Sequence, residues 1–403
     1  MTTRLSSLHP YPAMIADSLA EDLIREFAIP GMRILDPFCG TGRLVVSGAE
    51  MGANCMAVDI NPLAYLITQA KTSSHDIHEL QEFRRYISSL ELIGTETPTF
   101  DFHLGRRVRW FSAQCERELS CLISAVNAFP LSQSSLFLAG TILSATTREV
   151  SYCRKDRWKL HRLSDSIRRT HRPNTFFIFE RRLRAAIREL RRTGDLTGNC
   201  GVLLGDSRDL TKLLADSGQA ESFNLLVTSP PYGDSRTTVQ YGGMSGICLG
   251  VVRYLEGLGH LSSGGSEIDS KCLGGCSLNT SGLRERYRKY WNGGSHNPRG
   301  TNVYAYLRDL EHACTASIDL ICIGGMAIFV VARRKVGGWR LYIDEFLDDI
   351  LSSRGLRLCR RQTRSIHRKL LPSQVYPWSR SSKPNHKGAV STMSKEYILV
   401  YIK

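Results

Sequence analysis

The sequence predicts an α/β protein built on a mainly parallel sheet, with a helical insert and an irregular loop module. Two observations predict it. Short apolar runs that read as buried strands alternate with stretches of helical period, once near the N-terminus and again after residue 200. Each leading strand also runs into a turn rich in glycine or proline, as the carboxyl ends of parallel strands do when they face a ligand.

The elements follow in order. Residues 32–38 (MRILDPF) read as a short buried strand, followed by Gly40, Gly42 and an apolar helical run over 44–51. Residues 55–60 read as a second strand ending near Asp59. Pro62 suits the first position of a helix whose Leu63, Leu66, Ile67 and Ala70 share a face. About 130 residues then read as mainly helical. The clearest piece is 178–190, where Phe179, Leu183, Ala186, Ile187 and Leu190 form the apolar stripe and Arg181, Arg184, Arg188 and Arg192 lie off it. The alternation resumes with strands at 201–205 and 223–228 around a short helix at 210–214. Residues 233–302 are rich in Gly and Ser with little periodicity and read as a long functional loop or small irregular module. A helix over 303–320, a strand over 326–332, an amphipathic helix over 339–351 and a final strand over 397–402 complete the reading.

Composition narrows the function classes. Of 403 residues, 42% are hydrophobic and 23% charged, the balance of a globular chain, which excludes a wholly disordered, collagenous or coiled-coil protein. Twelve cysteines are too sparse and irregular for a disulfide framework, so a reducing compartment is expected. Residues 1–22 hold no apolar core of signal type, and the uncharged stretch 119–147 is broken by Asn127, Pro130 and Gln133, so no membrane span is expected. Cys272 and Cys276 lack a second cysteine pair, and no metal is expected. The formal net charge is +15, and it is segregated: residues 148–192 and 333–387 carry +10 each, whereas 1–147 carries −4 and 193–332 carries −2. Segregation of this kind suits a footprint for phosphates.

Two segments carry the chemistry. In Asp36-Pro37-Phe38-Cys39-Gly40-Thr41-Gly42, two glycines in a tight strand-to-helix turn let backbone N–H groups approach a ligand. The third glycine of the dinucleotide fingerprint is absent, because Arg43, Leu44 and Val45 follow. Asp59, at the next strand end, is placed to accept hydrogen bonds from ribose hydroxyls. In Thr228-Ser229-Pro230-Pro231-Tyr232, two prolines fix φ and remove two donors, leaving stiff carbonyl acceptors beside a hydroxyl and an aromatic ring. Such a group can grip an exocyclic amine and stack on the ring that bears it.

Together the two segments resemble the S-adenosylmethionine-dependent amino methyltransferases of DNA, in the cytosine-N4 group that carries Thr-Ser-Pro-Pro-Tyr. The resemblance covers roughly residues 1–71 and 201–260. It implies a Rossmann-like class I methyltransferase fold with a seven-stranded sheet. The cofactor loop would be Asp36 to Gly42, with Phe38, Gly40 and Gly42 in it. Asp59 would bind ribose, Asp206 the adenine amino group, and the segment His9-Pro10-Tyr11 would lie against the methionine end. Ser229, Pro230, Pro231 and Tyr232 would be the catalytic tetrapeptide. Serine at its first position implies cytosine N4, whereas Asp or Asn is typical of adenine N6. The run from Gly233 through Val239 to Gly242 resembles a subset of the same enzymes. Arg43 departs from the small or hydroxyl residue common there. Cytosine C5 chemistry is not expected, because no proline here is followed by cysteine.

On this reading the catalytic core is 1–71 and 201–403, the basic helical insert is 72–200, and 233–302 is the candidate target-recognition region. The partner is double-stranded DNA with its target cytosine flipped out. Arg181, Arg184 and Arg188 are candidate phosphate contacts, as is the basic tail 333–387. Arg284, Arg286, Arg288, Lys289, Asn292 and Asn297 are candidates to reach base edges. A restriction endonuclease acting separately, a cytoplasmic location and association with the nucleoid are implied. The alternatives are an adenine-N6 DNA methyltransferase, an RNA guanosine-N2 methyltransferase, and a catalytically idle nucleic-acid-binding protein.

Overall fold

A computed structural model describes residues 4–90, 100–102, 110–155, 160–218, 222–234, 240–276, 282–291, 293, 300–336, 339–366, 374–375, 390–391 and 393–403. In chain order the main elements are α1 (Asp17–Phe27), β1 (Arg33–Asp36), α2 (Arg43–Glu50), β2 (Asn54–Asp59), α3 (Pro62–Thr72), α4 (Ile77–Leu90), α5 (Ala113–Ala128), α6 (Gln133–Val150), α7 (Asp165–Thr170), α8 (Thr175–Thr193) and β3 (Cys200–Leu204). There follow α9 (Leu210–Asp216), β4 (Phe223–Thr228), α10 (Tyr241–Val252), α11 (Gly265–Lys271), α12 (Leu283–Tyr287), α13 (Gly300–Asp319), β5 (Ile321–Val331), α14 (Ile343–Ser353), β6 (Arg357–Ser365) and β7 (Lys395–Ile402).

The sheet has seven strands in the order β3-β2-β1-β4-β5-β7-β6. The pairs β2/β3, β1/β4 and β4/β5 are parallel, and β7 runs antiparallel to both β5 and β6. This is the mainly parallel Rossmann-like sheet read from the sequence. The strand order reverses at β1/β4, where Ile34 faces Leu225 and Leu35 faces Leu226. A reversal of this kind leaves a crevice at the carboxyl ends of the two strands, the usual ligand position in open α/β sheets.

The chain divides into two compact units. The first comprises Met1–Gly31, Cys39–Leu204 and Tyr241–Ile268. In it, the Asn61 side chain caps α3 by accepting from the Leu63 N–H (3.1 Å), with Pro62 just inside. The α8 stripe of Ile178, Phe179, Leu183, Ala186, Ile187 and Leu190 is buried, and Gly194 with φ +68° stops the helix. Full burial of a side chain such as Phe179 or Leu183 contributes about 1.5–3 kcal/mol. Helix α10 falls inside the stretch read as irregular. From Met244 to Val252 it is buried on every side, so it has no polar stripe to give it a period, and its four glycines disguise it further.

The second unit comprises Met32–Phe38, Gly205–Gln240 and Asp269–Lys403. Strand β5 bends at Gly324, whose φ is +78°, and its register against β4 shifts between Phe223 and Leu225. The helix read over 339–351 is corrected. Trp339–Leu341 is instead a short strand paired antiparallel with Arg334–Val336, and the helix begins at Ile343. Apolar residues at 339 and 341 alternate with period two, and that local pattern prevails. Strand β6 (RLCRRQTRS) shows no apolar run and lies at the sheet edge, where charged side chains are tolerated and discourage pairing with other chains. Trp291 is wholly buried and donates to the Val336 carbonyl (3.3 Å), so it serves the core.

Candidate active site and nucleic-acid face

Within the second unit, the segment leaving β1 and the segment leaving β4 emerge from the same end of two paired parallel strands. They are tied together there. The Thr228 hydroxyl donates to Asp36 Oδ1 at 2.6 Å, and the Phe38 N–H donates to the same oxygen at 3.2 Å. Asp36 is 1% exposed, so these are charge-assisted bonds in a poorly solvated setting. The Ser207 hydroxyl donates to the Pro37 carbonyl.

The tetrapeptide is held from several sides. Ser229 Oγ lies 3.1 Å from Tyr232 Oη, and Tyr232 Oη donates to Glu396 Oε1 on β7 at 3.2 Å. Tyr306 on α13 donates to the Pro231 carbonyl at 2.7 Å. Ser229 and Tyr232 are half-buried and Pro230 is buried. Neither Glu396 nor Tyr306 was singled out in the sequence. No local motif marks them, because both reach this loop from elements 75 and more residues away.

Asp206 is half-buried, and its carboxylate is gripped by Arg208, which donates from Nε to Oδ1 at 2.9 Å and from its backbone N–H at 2.9 Å. Arg208 also reaches Asp309 (3.0 Å) and the Lys271 carbonyl (2.8 Å). Arg208 Nε also lies 3.0 Å from Oδ2 and its Nη2 donates to that oxygen, so Arg208 engages both carboxylate oxygens twice.

Within the first unit, the turn continues as Cys39-Gly40-Thr41-Gly42. Gly40 has φ +52° and Gly42 has φ +73°. A Cβ on Gly42 would lie 2.6 Å from Thr68 Cγ2, so glycine is required there twice over, by conformation and by space. The Gly40 N–H donates to Asp59 Oδ2 (2.9 Å) and the Asn61 N–H to Asp59 Oδ1 (2.8 Å). Burial raises the Asp59 pKa to about 6, against the opposing pull of those backbone donors. Lys71 is 1% exposed and donates to the Thr41 carbonyl (3.0 Å), bracing the turn from beneath; burial and nearby Arg43 lower its pKa to about 8. Arg43, the departure noted in the sequence, pairs with Asp17 of α1 at 2.6 Å and donates to the Ile15 carbonyl, so it anchors α1.

His9 is 3% exposed, and its Nδ1 lies 2.8 Å from the Pro10 carbonyl. Burial lowers its pKa to about 3, with Arg182, Arg148 and Lys71 adding to the effect, so the ring is neutral. Its Nε2 is buried and has no protein partner, an orphan that a polar atom of a bound group would satisfy. Tyr11 is buried. Its hydroxyl accepts from Asn61 Nδ2 (2.9 Å), and its ring lies 6.0 Å from that of Tyr241.

The arginines of α8 are only partly available. Arg181 donates to Glu149 (2.9 Å), Arg184 lies 4.0 Å from Glu180, and Arg188 is exposed. A denser group of arginines lies nearby in the same unit, in a cleft of ≈ 590 Å³ lined by Tyr152, Arg162, Arg168, Arg169 and Arg172 together with Asp165, which pairs with Arg168. The guanidinium carbons of Arg162 and Arg168 both lie 5.8 Å from the Tyr152 ring centroid. Burial and the neighbouring Arg168 lower the Arg162 pKa, the mark of cations held close together. These arginines sit in the basic segment 148–192, but only the fold gathers them around one ring. In the second unit, Arg284 is exposed, Arg286 pairs with Glu311 and Lys289 with Asp349 (2.7 Å). Arg333 and Arg361 of the basic tail both pair with the buried Asp344, at 2.7 and 3.2 Å. Asn292, Asn297, residues 235–239 of the run after Gly233, and most of 367–389 lie outside the described residues.

Comparison with known proteins adds a family. A family described as DNA methylase, covering the N6 and N4 types, matches residues 2–70. The Type II methyltransferase M.MvaI of Kocuria varians is 25% identical over 97% of this chain and 89% of that protein. The Type II methyltransferase M.MjaII of Methanocaldococcus jannaschii is 33% identical, but over 20% of this chain and 15% of its own length. The Type II methyltransferase M.BsoBI of Geobacillus stearothermophilus is 28% identical over 36% of this chain and 29% of its own length.

Proposed function

We propose that this chain, which belongs to the S-adenosylmethionine-dependent amino methyltransferases of DNA, acts on the exocyclic N4 amine of cytosine in duplex DNA. The observation that carries the reading is Ser229 at the head of the tetrapeptide, on a loop bonded through Thr228 to Asp36. A serine hydroxyl and proline carbonyls accept from an amine, and no covalent nucleophile is asked of the protein.

The cofactor supplies a methyl carbon activated by its sulfonium. The chain's residues suit it. Asp59 presents a carboxylate toward which ribose hydroxyls can donate, His9 offers a buried unpartnered nitrogen, and Gly40 and Gly42 keep the backbone open. We assign Asp36, Phe38, Gly40, Gly42, Asp59, Asp206, His9 and Tyr11 to cofactor binding. Ser229 and Pro230 orient the target amine and turn its lone pair outward. Tyr232 supplies a stacking face, and Pro231 keeps the loop stiff. Positioning and oriented dipoles then carry most of the rate gain.

The target amine is paired inside the duplex, so the cytosine is taken as flipped out. Phosphate contacts fall to Arg188 and to the Tyr152 cleft, with Arg181 and Arg184 following once they exchange their carboxylate partners. Arg284 and Arg286 are assigned to the recognition region 233–302. Replacing Arg168 and Arg169 together by alanine is expected to flatten the slope of log affinity against log salt by about 2, with little change in sequence preference. Fluorescence anisotropy at several salt concentrations measures this.

The relatives' names point to a modification enzyme of a restriction–modification system, with its endonuclease acting separately, and so to a cytoplasmic, nucleoid-associated protein. No helix among the described residues is long and apolar enough to cross a membrane. The test is expression in a host free of cytosine-N4 marks, followed by single-nucleotide mapping of modified bases. N4-methylcytosine in one sequence context is expected. Absence of any new mark, or N6-methyladenine, contradicts the assignment.

A further inference from the structure

We infer that Glu396 is a positioning residue for the transfer, setting the direction of a hydrogen-bond chain that leaves Ser229 Oγ a pure acceptor toward the target amine. The inference rests on the proposed role of Ser229.

The chain is short and its polarity is fixed by elementary inventory. A carboxylate accepts and cannot donate; a phenol has one proton; a serine hydroxyl has one proton and two lone pairs. Tyr232 Oη donates its only proton to Glu396 Oε1 at 3.2 Å. The contact of 3.1 Å between Ser229 Oγ and Tyr232 Oη could run in either direction taken alone. With the phenol proton already committed to Glu396, it runs from Ser229 to Tyr232. Both lone pairs of Ser229 Oγ are then turned away from its own proton and can receive an N–H. Without an acceptor at 396, Tyr232 can donate to Ser229 instead, and the serine proton is freed to compete with the amine hydrogens.

The setting places a carboxyl acceptor within reach of a cation. Glu396 is half-buried on β7 and faces Arg364 of β6 in register. Burial raises its pKa on balance, and the Tyr232 bond and Arg364 offset only part of that rise. Tyr306, which fixes the Pro231 carbonyl, holds the same loop independently of Glu396, so loop position and chain polarity are separable.

The test is a double-mutant cycle in single-turnover methylation of a duplex, using Glu396→Leu, Tyr232→Phe and the pair, with Glu396→Gln as the conservative variant. Leu removes the acceptor, whereas the Gln carbonyl can still accept from Tyr232. Glu396→Leu is expected to slow transfer about tenfold, with the affinities for S-adenosylmethionine and for DNA each within about twofold of wild type, and Glu396→Gln to recover most of that rate. In the Tyr232→Phe background, which keeps the ring but removes the link, Glu396→Leu is expected to cost nothing further. Wild-type rates for Glu396→Leu, or the same loss with Phe at 232, overturn the inference, as does a loss confined to KM. If the wild type places its methyl on adenine N6 while the coupling between 396 and 232 persists, the positioning role stands and the cytosine assignment falls.

Discussion

Ser229→Ala is expected to lower the single-turnover rate of methyl transfer by about 10²-fold while S-adenosylmethionine affinity stays within about twofold of wild type. Removing one preorganised polar group from a reacting centre has effects of this order. The change deletes one hydroxyl and leaves the proline pair, the Tyr306 bond to Pro231 and the Thr228 bond to Asp36 in place. Loop geometry is therefore kept and the loss falls on the chemical step. Quenched-flow transfer of a labelled methyl group, beside calorimetric titration of the cofactor, measures both quantities. Unchanged turnover would remove Ser229 from the mechanism.

The second large effect is expected at Asp59. Asp59→Ala removes a carboxylate able to accept from two hydroxyls at about 1.5 kcal/mol each, so cofactor affinity should fall by about 10²-fold. The wild type should show a related effect with pH. Because burial raises the Asp59 pKa to about 6, the carboxyl becomes protonated below that value and loses acceptor capacity. Cofactor Kd should then rise about tenfold per pH unit below about 6. Stability moves the other way for this group. Its folded pKa lies above the unfolded value, so it favours the native state at low pH, and that contribution is lost as pH rises through about 6. His9 opposes it. Its folded pKa of about 3 lies below its ordinary 6.5, so it withdraws stability as pH falls between those values. Titration of affinity, with Asp59→Asn as control, isolates Asp59 where a melting curve would not. A flat Kd between pH 5 and 7 would contradict the assignment.

The strands of the sheet that carry the two turns were legible because each is an apolar run ending in punctuation: Asp36-Pro37 after β1, Asp59 after β2, Ser229-Pro230-Pro231 after β4. Helix α8 was legible because one face is apolar and the other is rich in arginine. Three things were hidden, each for a physical reason. Helix α10 is buried all round, and burial on all sides erases the period that reveals a helix. Strand β6 is an edge, where packing makes no apolar demand. Glu396 stands next to a lysine on the last strand, and its value depends on a pairing with Tyr232 across 164 positions of sequence. The arginines of the Tyr152 cleft were visible as charge but not as a cluster, since gathering them takes the pairing of Cys153 with Arg162.

The most direct measurement digests duplex DNA that the purified protein has treated with methyl-labelled S-adenosylmethionine, and identifies the labelled nucleoside by mass spectrometry. The account predicts label in N4-methyldeoxycytidine alone, and about a hundredfold less of it when Ser229→Ala replaces the wild type for the same brief reaction. Label in N6-methyldeoxyadenosine, or cofactor binding with no label in any nucleoside, would contradict it.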